Sequence, residues 1–175
     1  MSIEIRPTDT DDIPDIAKVL SQATLHKSEQ GDYLWGNQPY TTEDVEAKIR
    51  AGGLYTVIYN GLISGTVIVT DKDQRIWNDS GEDQEALYVH QLATSDEARG
   101  QNLGGQIIDW VADKAKKDGR RSIRLDCSYT NQRLYDYYKS RGFIEVARRD
   151  IPRKNTARDL RDPIYKVALL QRDIT

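Results

Sequence analysis

Cysteine, histidine and charge of one sign are all scarce in this sequence, and each shortage closes off a class of chemistry. The single cysteine, Cys127, excludes an intrachain disulfide and any multi-cysteine zinc site. With His26 and His90 the only histidines, no metal centre is expected, and the chain is compatible with a reducing compartment. No run approaches the ~20 apolar residues that a membrane span requires. The opening MSIEIRPTDTDD has no basic segment followed by an apolar core. The reading is therefore a cytoplasmic protein with no membrane partner. A net charge of -3 leaves no basic excess for sequence-independent binding to nucleic acid, whereas a small amine remains open as a partner. Repeats, low-complexity tracts and linkers are also missing, so residues 1–175 are read as one domain.

What is present is a set of clearly punctuated strands and helices. Ile3 and Ile5 alternate with polar residues in a short strand closed by Pro7; Thr8 to Asp12 then start a helix with Ile13, Ile16, Ala17 and Leu20 on one face. Residues 26–40 are polar but hold Tyr33, Trp35 and Tyr40, and are expected to form an irregular segment pinned by aromatics. Thr41 and Asp44 stand in capping-box spacing at the head of a second helix that Gly52 stops. Asn60-Gly61, flanked by β-branched and aromatic residues, predicts a hairpin with a tight primed turn. ALYVHQLAT (86–94) and SIRLDCS (122–128) predict strands on either side of a helix that carries Leu103, Ile107, Trp110, Val111 and Ala115 on one face. NQRLYDYYKSRGF (131–143) predicts a helix stopped by Gly142, and FIEVARR and IYKVALLQ bracket a polar loop with Pro152 and Pro163. The sum is an α/β chain whose mixed, largely antiparallel sheet carries helices packed on it.

Between the strand at 86–94 and the helix that follows lies DEARGQNLGGQ. A loop that leaves a strand and enters a helix aims several unpaired amides at one point, where the helix dipole favours negative charge. Gly100, Gly104 and Gly105 keep that approach clear and Arg99 adds a cation, so a phosphate or pyrophosphate ligand suits it. A P-loop is excluded, because Gln106 and Ile107 stand where the lysine and hydroxyl must be. A dinucleotide fingerprint is missed by the middle glycine alone, with Asp126 near the place of the ribose-binding acid. A nicotinamide-type dinucleotide-binding protein therefore stays open, although the antiparallel strands before this unit argue against it.

The segment LATSDEARGQNLGGQIIDW resembles the signature of the GNAT superfamily of acyl-CoA-dependent N-acetyltransferases, in which [QR]-x-x-G-x-[GA] here runs from Arg99 to Gly104. Asn102 departs from it, standing where the family has its first glycine. Asn131, Tyr138, Gly142 and Phe143 are similar to a second family pattern downstream, in the family's order. The resemblance implies a GNAT fold with a splayed parallel strand pair at the cofactor site, and acetyl-CoA as acyl donor with no metal. It places Leu92 and Thr94 against the pantetheine arm, and the loop residues Arg99, Gly100, Gln101, Asn102, Leu103, Gly104 and Gly105 around the pyrophosphate. Asn131 would touch the cofactor arm. An asparagine tolerates a left-handed backbone, so the loop is expected to survive with altered affinity.

The implied reaction moves an acetyl group to a primary amine of a small molecule or peptide by direct attack through a tetrahedral intermediate. Tyr138 is the expected general acid at the departing sulfur. His90 is the candidate base, directly or through water, with Glu85 and Tyr88 behind it. Cys127 is expected to be a packed strand cysteine, not a nucleophile. The acceptor is expected against Tyr33, Trp35 and Tyr88, with Tyr40 and the acidic stretch at 79–85 able to attract a cation. A monomer or a homodimer fits equally. A non-catalytic acyl-CoA-binding sensor is the remaining alternative.

Overall fold

The computed structural model describes residues 2–153 and 164–175. Its strands are β1 (Ile3–Pro7), β2 (Leu54–Tyr59), β3 (Leu62–Thr70), β4 (Ala86–Thr94), β5 (Ser122–Ser128), β6 (Ile144–Pro152) and β7 (Ile164–Asp173). Helices α1 (Ile13–Glu29) and α2 (Thr42–Ala51) precede β2, α3 (Leu103–Lys117) links β4 to β5, and α4 (Gln132–Ser140) follows β5. The seven strands form one sheet in the order β1-β2-β3-β4-β5-β7-β6. Only β4 and β5 are parallel, joined through α3, and the other pairs are antiparallel. The mixed sheet expected from the sequence is thus formed, and the parallel doubly wound architecture of a dinucleotide fold is not.

Local chemistry accounts for most element ends. Asn60 and Gly61 both take positive φ, 50° and 81°, which closes the β2–β3 hairpin in the turn that matches strand twist. Thr41 and Asp44 exchange the two bonds of a capping box, Asp44 N donating to Thr41 Oγ1 at 3.2 Å and Thr41 N to Asp44 Oδ2 at 2.8 Å. Buried Asp12 accepts from both Arg6 guanidinium nitrogens, at 2.7 and 2.9 Å, and from Thr56 Oγ1 at 2.9 Å. That network anchors the head of α1 to β1 and β2, and it holds the Asp12 carboxyl below the usual range because its charged form receives the bonds.

Two expectations need correction. Residues 26–29 belong to α1 and are not irregular: Lys27 and Glu29 are good helix formers, and the helix stops only where Gly31, at φ 78°, lets Asp32 N donate back to the Lys27 carbonyl at 3.0 Å. Pro152 is the last residue of β6, not part of a loop; β6 is the sheet edge, where a missing N–H is tolerated. Pro163 lies outside the described residues.

The sheet is covered on both faces. Leu103, Ile107 and Val111 of α3 pack with Val57, Val67, Leu87, Val89, Leu125 and Phe143 on one side. Ile16, Val19 and Leu20 of α1 pack with Val45, Leu54 and Ala93 on the other. Burying a large aliphatic side chain contributes about 1.5–3 kcal/mol, so the two layers hold the middle strands rigid where the site is built.

Candidate active site

Strand β4 begins as a regular ladder and then breaks. Its pairing with β5 ends at Val89↔Leu125. On its other side Thr66 faces Ala93 and Ile68 faces His90, so Val67 alone opposes Gln91 and Leu92. This is a β-bulge, and Gln91 supplies it by adopting φ 45°. The extra residue bends β4 away from β5 and leaves the β5-facing backbone of residues 90–94 without a ladder partner. It also inverts the side-chain alternation. Leu92 packs with Leu87 and Val89 against the α3 layer instead of sharing a face with Tyr88 and His90 as simple parity implies. The opening holds a cavity of about 180 Å³ lined by His90, Gln91 and Leu92 on β4, Asp126 and Cys127 on β5, and Tyr138 on α4.

The glycine loop follows β4 and meets the cavity wall through Leu92, whose side chain would lie 3.7 Å from a Cβ on Gly104. Gly100 (φ 82°) and Asn102 (φ 55°, ψ 28°) are both left-handed, which turns the chain into α3. The first helical bond is Gln106 N donating to the Asn102 carbonyl at 3.2 Å, so the amides of Leu103, Gly104 and Gly105 stand ahead of the helix ladder. A Cβ on Gly104 would lie 3.0 Å from the Tyr137 hydroxyl, and one on Gly105 would lie 2.5 Å from both Arg141 Nη1 and Asn102 Oδ1. A side chain at either position would therefore have to push aside the ends of Tyr137, Arg141 or Asn102. Asn102 keeps the backbone conformation the turn needs, and its side chain accepts a hydrogen bond from Arg141, whose guanidinium lies over the Tyr137 ring. Nothing in the chain's local pattern marks Arg141 for this position. Arg99 is exposed and donates to Asp96 at 2.6 Å; Gln101 is exposed and accepts from the Tyr59 hydroxyl.

Tyr138 is buried on α4 and packs edge-on to Phe143, with centroids 5.8 Å apart, while lining the cavity. Burial raises its pKa far above the phenol value, so it keeps its proton. Cys127 is buried beside it, and desolvation followed by the nearby Asp126 pushes its thiol up to about 12, which suits packing and not nucleophilic attack. Asn131 caps α4 by accepting from Leu134 N at 3.1 Å and donates to Asp32 Oδ2 at 2.9 Å. Asp32 also takes the Lys27 ammonium at 2.7 Å, so Asn131 joins the end of α1 to the head of α4.

His90 opens onto the cavity with company that sequence spacing did not reveal. One ligand atom each from Asp73, His90 and Asp126 lies within 4.8 Å of the others. His90 Nε2 is 4.0 Å from Asp73 Oδ2 and 3.2 Å from Thr70 Oγ1. Burial lowers the His90 pKa against the upward pull of Asp73, which keeps the imidazole neutral. Burial, reinforced by Asp73 and opposed by Lys27 and Arg75, pushes Asp126 up to about 7. Of the aromatics, Trp35 lines the cavity, with Lys27 Nζ 5.0 Å from its ring centroid, whereas Tyr33 borders a smaller neighbouring hollow. Tyr88 is fully buried; its hydroxyl donates to Asp79 and accepts from Arg124 Nη1 at 2.8 Å, outside the cavity lining.

The site thus joins a parallel strand pair whose ladder ends early to an amide-rich loop at the head of a helix. The acetyltransferase (GNAT) family model matches residues 22–143, and the chain belongs to that family. An uncharacterised N-acetyltransferase of Bacillus subtilis, YesJ, is 23% identical over 143 residues, 78% of this chain and 79% of that protein. The protein yncA of Salmonella typhimurium, solved with its cofactor acetyl-CoA, superposes with a TM-score of 0.70 at 16% identity, over 100% of this chain and 95% of that one. A GNAT-family acetyltransferase of Streptococcus agalactiae superposes with a TM-score of 0.76 at 16% identity, over 98% and 95%. The structural likenesses show the fold, and the family match gives the general class, an acetyltransferase.

Proposed function

We propose that residues 1–175 act as one domain that transfers an acetyl group from acetyl-CoA to a primary amine of a small molecule or peptide. The observation that carries this reading is the coincidence, in one cavity, of the β4 bulge, the splayed strand pair and the buried proton-bearing Tyr138. The site suits acetyl-CoA. Backbone groups of Leu92 and Thr94 offer unpaired hydrogen-bonding partners for its amide arm, and the amides of the Gly100–Gly105 loop offer a cradle for its pyrophosphate. When bound, it supplies an activated acetyl thioester.

The chain's own residues then have separable tasks. Tyr138 holds a proton for the leaving sulfur, and its burial keeps that proton in place across the working pH range. His90, neutral at pH 7, takes the proton that the amine loses on acylation. Cys127 takes no covalent part, so the amine attacks directly. The test is release of free CoA thiol on addition of amines, for the parent and for Tyr138→Phe. Acetyl-CoA binding with no transfer across a broad amine panel, and no effect of Tyr138→Phe, would replace this reading with that of an acyl-CoA-binding sensor.

A further inference from the structure

We propose that Asp73, His90 and Asp126 form a cage for the ammonium group of the acceptor, so that the substrate enters as a protonated primary alkylamine and not as a weakly basic aryl nitrogen. This rests on the acetyltransferase reading and names the class of its acceptor.

The first support is geometric. The three groups come from the β3–β4 connection, β4 and β5, and one ligand atom of each lies within 4.8 Å of the others. Charge-assisted N–H···O bonds of about 2.8 Å around a tetrahedral nitrogen put their acceptors about 4.6 Å apart. A divalent transition metal with bonds of about 2.1 Å needs its donors about 3.4 Å apart. The 4.0 Å between His90 Nε2 and Asp73 Oδ2 lies between these two spacings, so the unmet hydrogen-bonding demand described next, and not distance alone, selects an ammonium.

The second support is an unmet hydrogen-bonding demand. Asp73 is 8% exposed; its Oδ1 accepts from Ile76 N at 2.9 Å, but its Oδ2, on the His90 side, is buried without a donor. Leaving a carboxylate oxygen buried and unpaired is costly, because its lost hydration is not replaced. Gln91 repeats the pattern on the cavity wall: its Nε2 donates to the Tyr40 hydroxyl at 2.7 Å, while its Oε1 is buried without a donor. The protein's own cations do not fill the gap. Lys27 is held by Asp32, Arg75 stacks on Tyr165, and among the described residues neither Lys nor Arg forms an ion pair with Asp73 or Asp126. Thr70 Oγ1 donates to the Lys72 carbonyl and accepts the His90 Nε2–H at 3.2 Å, so a neutral imidazole has Nδ1 as the acceptor nitrogen to offer the third N–H.

The cage also provides a destination for the first proton. One N–H bond of the ammonium breaks, its electron pair stays on nitrogen as the nucleophilic lone pair, and the proton bonds to an Asp126 carboxylate oxygen, from which solvent removes it. Asp126 is suited to this because burial and Asp73 raise its pKa to about 7, while Lys27 and Arg75 act in the opposite sense and Cys127 beside it stays protonated. An arylamine arrives already neutral and needs neither the cage nor the acceptor.

The deciding experiment is calorimetric titration of the protein, preloaded with CoA, with n-butylammonium, aniline, n-butanol and Zn²⁺, using the parent, Asp73→Asn and Asp126→Asn. Butylammonium is expected to bind the parent, with affinity reduced about tenfold by Asp73→Asn while CoA affinity, which reports folding, is unchanged. Aniline and butanol are expected not to compete. Aniline acetylated as well as butylamine, with both Asn variants unimpaired, would sink the cage and leave the acetyltransferase reading intact. Tight Zn²⁺ binding lost in Asp73→Asn, with no butylammonium effect, would overturn it in favour of a metal site. If no amine is acetylated, the proposed activity fails, yet butylammonium binding that Asp73→Asn weakens would still uphold the cage.

Discussion

The glycine loop and the Asp73, His90 and Asp126 cluster are built on opposite principles. The loop side is backbone: left-handed residues at Gly100 and Asn102, amides ahead of the α3 ladder, and glycines fitted against Tyr137 and Arg141. The acceptor side is side chains: Asp73, His90 and Asp126, brought together from three elements and mostly withdrawn from water. Backbone amides do not titrate, so the loop side should hold its ligand over a wide pH range. Buried carboxylates and imidazole do titrate, so the acceptor side should carry the pH dependence. A single molecule thus separates a pH-indifferent binding half from a pH-sensitive chemical half.

The sharpest way to break that comparison is to remove the hydroxyl of Tyr138, the proposed proton donor. Tyr138→Phe preserves the packing against Phe143 and should lower kcat about 10²- to 10³-fold with acetyl-CoA affinity unchanged, measured by thiol release and by calorimetry. A matched loss of cofactor affinity would mean that Tyr138 belongs to the binding half.

Asp126 offers the next largest effect. In the parent, kcat/KM should fall as pH drops through about 7, as the carboxylate that accepts the amine proton becomes protonated. Asp126→Asn should lower the rate about tenfold or more and remove that limb, while the pH profile of acetyl-CoA binding stays flat in both proteins. An unchanged limb in the variant would assign it to the neighbouring His90 instead.

The same residue makes a stability prediction of opposite sign. Its pKa rises from 3.8 to about 7 on folding, so the native state binds the extra proton between those values and stability falls as pH rises through that window. Asp126→Asn removes the cost of burying the charge. The variant's Tm should match the parent near pH 4 and exceed it above pH 7, by several degrees if about 2 kcal/mol is recovered. Thermal unfolding at both pH values checks this, and an equal shift at both would mean that ionisation is not the cause.

These halves also differed in how far they could be read from the chain. The loop and the Asn131, Tyr138, Gly142 and Phe143 frame are short contiguous patterns, because backbone geometry and helix capping are set by near neighbours. Strands, hairpin and helix faces followed from periodicity for the same reason. The bulge did not: nothing in ALYVHQLAT marks Gln91 as the residue that takes φ 45°, and that one residue reverses where Leu92 points. Asp73 lies in a polar stretch, DKDQRIWNDSGEDQE, with no periodicity to place it, and Asp126 stands near the place of the ribose acid of a fold that is not formed. Their role depends on sheet register and on the Asp73 loop folding back onto β4, which are tertiary facts. Tyr88 shows the reverse, a pocket candidate by parity that Asp79 and Arg124 claim for the interior.

The smallest expected effect tests whether the loop side is as tolerant as backbone construction implies. Asn102 does two things: it adopts φ 55°, which glycine does more easily, and it accepts a hydrogen bond from exposed Arg141. Asn102→Gly relieves the first and loses the second. Glycine in a left-handed position gains at most about 1 kcal/mol, and an exposed hydrogen bond contributes about the same in the other direction. The two nearly cancel, so acetyl-CoA affinity should be preserved or tightened within about threefold. Arg141→Ala, which frees Asn102 without changing the backbone, separates them. If Asn102→Gly weakens binding strongly and Arg141→Ala does not, the asparagine side chain itself touches the cofactor, and the loop side has recruited a side chain into a site otherwise made of main chain.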